Sequence, residues 1–219
     1  MSKIFIIGLP RTGTTSISVA LLELGLAVAH TAFTKRTFEV ADAISDSPCF
    51  SDYQQLDVLF PKAKFIYLTR DMDKWLPSIT MLLEKMAPHL EPKKGRFNPI
   101  LKHSFHDTFS IELPLNYHEL TDCYQHHQQR VYSYFEGRDN LLTIDISEQG
   151  SLLKMKEFLE IEEEGNIEFP KLNVGRNVAN WKDYKHRNKI SSNLAGVDHR
   201  KYFDFYYATN KLDKYLVNS

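Results

Sequence analysis

The sequence predicts an α/β fold in three layers, a central parallel sheet with helices on both faces. Short continuous apolar runs at Lys3 to Ile7, Lys64 to Thr69 and Leu141 to Ile146 read as strands buried on both sides. Each is followed by a stretch with apolar residues three and four apart, the spacing of a helix face. Strand and helix alternate along the chain, which requires crossover connections and therefore a parallel sheet.

The elements follow in order. After the first strand, Ile17, Ala20, Leu21 and Leu24 mark a helix that Gly25 ends. Leu26 to Ala29 is expected as a short strand, Phe33 to Ile44 as a polar, mixed helix, and Cys49 to Ser51 as another short strand. The strand KFIYLT precedes a helix from about Asp73 to Met86, in which Pro77 is tolerated only if the helix begins close before it. Residues 88–115 carry four of the nine prolines and little periodicity, so they read as a long, partly irregular insertion. Leu120, Tyr124, His127, Val131 and Phe135 form one helix face ending at Gly137, and Leu152, Met155, Phe158 and Leu159 form the next. Glu162 to Gly165 reads as a turn, and Arg200 to Leu216 carries aromatic residues at helical spacing. No repeat or composition shift marks a boundary, so residues 1–219 are expected to form a single domain.

Composition narrows the function. Of 219 residues, 42% are hydrophobic and 25% charged, ordinary values for a globular chain. A net charge of -1 lacks the basic excess of a nucleic-acid-binding domain. Cys49 and Cys123 are too few and too far apart for a disulfide framework, and they read as reduced thiols. The chain runs from KIFIIG straight into a glycine loop, without a signal-peptide pattern, and no apolar stretch approaches the roughly 18 residues of a membrane span. A cytoplasmic protein is the expectation.

The loop Gly8-Leu9-Pro10-Arg11-Thr12-Gly13-Thr14-Thr15 lies between a predicted strand and a predicted helix, where a phosphate loop belongs. Glycines let backbone N–H groups approach an anion, and the helix start adds free N–H groups and a positive dipole end. A nucleoside-triphosphate loop of the Walker A type has Lys directly after the second glycine, whereas Thr14 stands here and the cation is Arg11. That change favours an anion other than a Mg²⁺-bound triphosphate. Without a ligand, the same pattern would be a tight strand–helix turn.

These residues resemble the sulfotransferases that use 3′-phosphoadenosine 5′-phosphosulfate (PAPS), in the bacterial-type branch. The first signature of that family, Pro-Lys/Arg-Ser/Thr-Gly-Thr-Thr after the first strand, is matched throughout by Pro10 to Thr15. The second, an Arg closing a strand with a Ser eight residues on, is matched by Arg70 and Ser78 in KFIYLTRDMDKWLPS. LLTIDISEQGSLLKMKEFLEI is similar to a later strand and helix of the family, and NVGRNVANWK is loosely like its closing loop. The resemblance implies a P-loop-like fold. It also implies that Arg11, Thr12, Gly13, Thr14 and Thr15 bind the 5′-phosphosulfate. Arg70 and Ser78 would bind the 3′-phosphate, with Arg176 closing over it. The donor would be PAPS, the product 3′,5′-ADP (PAP), no metal would be needed, and the acceptor would be a small molecule with a hydroxyl or amine. Residues 88–115 would then be an insertion or lid near the acceptor.

Transfer requires a cation at the leaving phosphate and a base at the acceptor. Arg11 is the expected cation. Asp52, before a predicted helix, is expected either as base or as the N-cap of that helix. His30, ending the second predicted strand, is the other candidate base. His103 and His106 are at i, i+3 spacing but have no third ligand to make a metal site. Two alternatives remain open: a P-loop kinase or NTPase with Asp145 as the metal-site acid, and a non-catalytic nucleotide-binding protein.

Overall fold

The computed structural model describes residues 2–195 apart from 112, 114, 163–167, 171–172, 175–176 and 179–180. Arg176 and the segment 200–216 lie outside the described residues, as does most of the turn expected at 162–165.

The strands are β1 (Ile4–Ile6), β2 (Val28–Ala29), β3 (Ala43–Ser45), β4 (Lys64–Leu68) and β5 (Leu141–Ile144). They form one sheet in the order β2-β3-β1-β4-β5 with every pairing parallel. The helices are α1 (Thr14–Glu23), α2 (Lys35–Val40), α3 (Cys49–Leu59), α4 (Met72–Leu90), α5 (Pro99–Thr108), α6 (Tyr117–Tyr134) and α7 (Ser151–Leu159). A two-residue antiparallel pair, β6 (Asn173–Val174) with β7 (Asn177–Val178), follows.

Alternation along the strands divides the core into two faces. Ile4, Ile6, Ile66 and Leu68 point to the side of α1 and α7, where Ile17, Leu21, Leu152 and Met155 meet them. Phe5, Ile7, Phe65 and Tyr67 point to the other side, against Phe38 of α2, Tyr53 and Leu56 of α3 and Val131 of α6. This is the expected three-layer α/β/α arrangement. A third cluster joins α3, α4, α5 and α6 through Phe50, Trp75, Leu83, Phe105 and Tyr124 and includes Leu9 of the glycine loop. Burying each such side chain contributes about 1.5–3 kcal/mol.

Two expectations fail locally, each for a physical reason. The helix expected over 33–44 covers only Lys35–Val40, and Ala43–Ser45 is instead the strand beside β1. Three residues are too few to show a period. Their register is fixed at a distance, by Asp42 and Ala43 N–H groups donating to the Ala27 carbonyl and the Asp42 carboxylate accepting from Ala27 N–H at 2.8 Å. Cys49 to Ser51 is not a strand but the first turn of α3, with Pro48 at the N-cap. Residues 88–115 are part helical and part irregular. Pro88 to Leu90 complete α4, and Pro99 sits at the start of α5, where its missing N–H costs nothing, while the Asn98 side chain accepts from Ile100 N–H at 2.9 Å.

One connection has no signal in the sequence. Residues 188–192 run along the outer edge of β2. Val28 N–H donates to the Asn188 carbonyl at 3.0 Å, and Ile190 N–H donates back to the Val28 carbonyl at 2.8 Å. This covers an otherwise open sheet edge and brings Trp181 and Lys189 close to His30.

Candidate functional site

In an open parallel sheet, ligands bind outside the carboxyl ends of the strands, where the strand order reverses. Here the chain leaves β1 toward β2 and β3 on one side and continues to β4 and β5 on the other. The residues just past those strand ends are the glycine loop after β1, His30 after β2, Asp46 after β3, Arg70 after β4 and Asp145 after β5.

The glycine loop is held from outside at three successive carbonyls. Thr12 Oγ1 donates to the Leu9 carbonyl at 2.7 Å, Trp75 Nε1 to the Pro10 carbonyl at 2.9 Å, and Arg70 Nη1 to the Arg11 carbonyl at 2.5 Å. Thr12 N–H turns back to the Leu9 carbonyl at 3.3 Å, so the donors left for an anion are those that follow it at the start of α1. The first N–H bonded back to the loop from α1 is that of Ile17, to the Gly13 carbonyl, and the first-turn N–H groups before it have no carbonyl one turn earlier in the helix. They lie at the positive end of α1. Arg11 at φ 72° and Gly13 at φ 113° hold left-handed backbone conformations, the kind of local strain that clusters at ligand sites. Gly8 has no room for a side chain: a Cβ there would lie 2.6 Å from Leu68 Cβ.

The two sequence signatures meet. Arg11 Nε donates to Ser78 Oγ at 2.7 Å, and Arg70 reaches the Arg11 carbonyl. Arg70 is fixed in turn by Tyr124, whose hydroxyl accepts from Arg70 N–H at 2.9 Å and donates to the Arg70 carbonyl at 3.2 Å. Burial holds the Arg11 pKa below its ordinary value. The Arg70 charge pulls the same way, and Asp46 opposes both. Two guanidinium groups, the loop amides and the hydroxyls of Thr14, Thr15 and Ser78 form a donor set of the right chemistry for a ligand carrying two separated phosphate-type anions.

On the β2–β3 side, His30 and Asp46 face each other with Nε2 and Oδ2 3.7 Å apart. Nδ1 of His30 is 2.8 Å from Ser45 Oγ, which is 2.8 Å from Ser18 Oγ, which donates to the Thr14 carbonyl at 2.6 Å. The His30 ring also packs on Trp181 at 5.3 Å between centroids. Burial, helped by the Lys189 charge, lowers the His30 pKa to about 4. Burial raises that of Asp46 to about 6, against the opposing effects of Ser47 N–H and Arg11. Near neutral pH the ring is therefore neutral and the carboxylate charged, so the pair is not an ion pair.

Asp52 lies in the first turn of α3, only 5% exposed, and its φ of -112° and ψ of 22° interrupt the helix. Pro48 is the N-cap of the whole of α3, and Asp52 sits at the kink where its two helical pieces join. Asp145 turns back on itself, its Oδ1 accepting from Ser147 N–H at 2.8 Å and from the Ser147 hydroxyl at 2.7 Å. Burial raises the Cys49 thiol well above its ordinary pKa and pushes Cys123 up to about 12, which keeps both neutral. His106 Nε2 donates to the Leu90 carbonyl at 2.8 Å. Among the described residues no group of three or more His, Cys, Asp or Glu could hold a metal, and no helix is long and apolar enough to cross a membrane.

Sequence reasoning missed Asp46, Ser45, Ser18, Trp75 and Tyr124. Only Trp75 and Asp46 had any available signal, Trp75 by lying within the Arg70–Ser78 signature and Asp46 by following a strand, had β3 been recognised.

Fold and loop together define a P-loop-like α/β protein with a glycine loop at the end of β1. A family model described as a sulfotransferase domain matches residues 3–37 and 31–178, and the chain belongs to that family. Its function is accordingly sulfotransfer. No curated protein matches the chain.

Proposed function

We propose that this protein transfers a sulfuryl group from PAPS to the hydroxyl or amine of a small acceptor. The observation that carries the reading is the junction of Arg11, Arg70 and Ser78, which unites two cations and a hydroxyl beside the loop amides. PAPS, as donor substrate, supplies an activated sulfuryl group and carries its two anionic ends on opposite sides of one ribose. Arg11, Thr12, Gly13, Thr14 and Thr15 bind the 5′ end, and Arg11 offsets the charge that grows on the leaving phosphate. Arg70 and Ser78 bind the 3′-phosphate, Arg70 through its two-pronged guanidinium, and Arg176 completes that end. No metal is required, because fixed cations and amides meet the anion's charge.

The acceptor enters on the His30 side of the loop. Of the two bases expected from sequence, His30 closes a strand at the site, while Asp52 presents little of its carboxylate at 5% exposure. We treat residues 1–219 as one cytoplasmic sulfotransferase domain, with 88–115 as a partly helical insertion bordering the acceptor region.

The reading is tested by incubating the protein with PAPS and mixed simple phenols, alcohols and amines, and measuring PAP by chromatography. PAP release that depends on an added acceptor and needs no Mg²⁺ supports it. Turnover of ATP with Mg²⁺ and none of PAPS would favour the kinase alternative. PAP binding without any turnover would favour the non-catalytic one.

A further inference from the structure

We propose that Asp46 is the general base of the reaction, with neutral His30 as a second hydrogen-bond acceptor that orients the incoming donor group. The inference rests on the sulfotransfer reading above and adds a residue to it.

The hydrogen bonds determine where the His30 proton sits. Ser18 has one hydroxyl proton, and the Thr14 carbonyl at 2.6 Å takes it. Ser45, 2.8 Å from Ser18 Oγ, must then be the donor in that contact, and its 3.4 Å approach to the His30 carbonyl is too long to compete. The proton between Ser45 Oγ and His30 Nδ1, 2.8 Å apart, therefore belongs to the ring. In the neutral ring Nε2 is left as a bare acceptor. It faces Asp46 Oδ2 at 3.7 Å, so two acceptors confront each other with no proton to share. A hydroxyl arriving beside the pair has one proton and gives it to one of them, whereas an amine can donate to both.

Of the two, Asp46 is placed to keep the proton. Its left-handed backbone at φ 59° turns the residue out of β3 at the strand end, and Oδ1 is held by Ser47 N–H at 2.8 Å, leaving Oδ2 toward the gap. The charged and titratable groups around it are Arg11 from the loop, His30 from the end of β2 and Cys49 from α3. Beyond these lie Asp52 in α3, which acts on the same Cys49, and Lys189, which acts on His30. Arg11, the cation of the loop, acts directly on the Asp46 charge. A carboxylate largely removed from water, titrating near 6, is ionised at neutral pH yet more basic than an ordinary Asp.

In the step, the acceptor oxygen forms a bond to sulfur as the bond from sulfur to the bridging phosphate oxygen breaks. The electron pair stays on the phosphate of PAP, and the acceptor's proton passes to Asp46 Oδ2 and then to water. Atoms and charge balance without a further reactant.

Asp46→Asn is the test, since Asn tolerates the left-handed backbone and keeps an acceptor for Ser47 N–H. PAP affinity is measured by titration calorimetry, and PAPS turnover across pH 5–9 with water alone and with the mixed acceptors. The proposal expects Asp46→Asn to lose at least about a hundredfold in turnover and to keep PAP affinity within about threefold, a shift too small to count as a lost phosphate contact. In wild type, turnover falls below about pH 6, and ¹³C NMR of carboxyl-labelled Asp shows one resonance titrating there that the variant lacks. His30→Gln keeps that acid limb. Wild-type turnover in Asp46→Asn, loss of PAP affinity with turnover, or an acid limb that disappears in His30→Gln would each overturn it. Failure of the wild type to bind PAP would instead defeat the sulfotransfer reading itself.

Discussion

Arg11 and Ser78, 67 residues apart in the chain, are joined by a 2.7 Å hydrogen bond from Nε to Oγ. Each is expected to contact a different end of the donor nucleotide, so donor binding requires Ser78 to exchange Arg11 for a phosphate oxygen. Because one bond replaces another, the net gain is small. Ser78→Ala is expected to weaken PAP by about 1 kcal/mol, roughly fivefold, less than a charge-assisted bond formed from nothing. Calorimetric titration with PAP checks this, and an unchanged Kd would remove Ser78 from the nucleotide site.

Arg70 does two things at once. It supports the Arg11 carbonyl and offers its guanidinium to the 3′-phosphate. Arg70→Ala is therefore expected to weaken PAP by about 1.5–3 kcal/mol. Arg70→Lys should recover only part of that, because an ammonium cannot make the two-pronged contact. A Lys variant equal to wild type in the same titration would contradict the assignment.

Gly8 is required by space. A Cβ there meets Leu68 Cβ at 2.6 Å and the Leu68 backbone at 2.8 Å, between two paired central strands that cannot yield. Gly8→Ala is expected to destabilise the fold by about 1–3 kcal/mol in urea unfolding. Gly25→Ala, whose Cβ would meet nothing within 4 Å, pays only for its φ of 85°. Equal stability of the Gly8 variant and wild type would mean that β1 and β4 are not packed as described.

His127 is buried, its Nε2 donating to the Phe50 carbonyl at 2.7 Å, and burial lowers its pKa to about 4. An unfolded imidazole titrates near 6.5, so the unfolded chain takes up the proton first as pH falls. Stability contributed by the neutral ring is therefore present above pH 6.5 and lost progressively down to pH 4, by up to about 3 kcal/mol. His30, shifted the same way, adds to the slope, while Asp46, with its raised pKa, opposes it between its unfolded value and about 6. His127→Gln, which keeps a neutral donor, should flatten the pH dependence of the unfolding free energy in this window. An unchanged slope would show that His127 does not titrate as described.

Much of the fold, and the loop and Arg70–Ser78 pair proposed as the donor end, were legible in the sequence because the signals are local. The runs at Ile4–Ile6 and Lys64–Leu68 are apolar on both faces, and the loop and the Arg70–Ser78 pair lie directly beside them. The proposed acceptor end was not legible, because β3 is only Ala43–Ser45 and is a strand through its pairing with β1 and β2. With β3 unread, Asp46 was a polar residue in Ser-Asp-Ser-Pro, indistinguishable from a turn. Asp52, the acid that the local sequence favours, is carried by α3 into the interior. The covering of β2 by residues 188–192 joins positions about 160 apart in the chain and has no local trace.

The central claim is that the loop of Arg11 and Gly13 serves a phosphosulfate donor and not a magnesium triphosphate. Calorimetric titration with PAP, and separately with ATP plus Mg²⁺, tests it most directly. The account predicts saturable one-to-one binding of PAP without metal, and ATP–Mg²⁺ binding at least tenfold weaker, a difference of about 1.4 kcal/mol. Tight ATP–Mg²⁺ binding with no heat from PAP would contradict it.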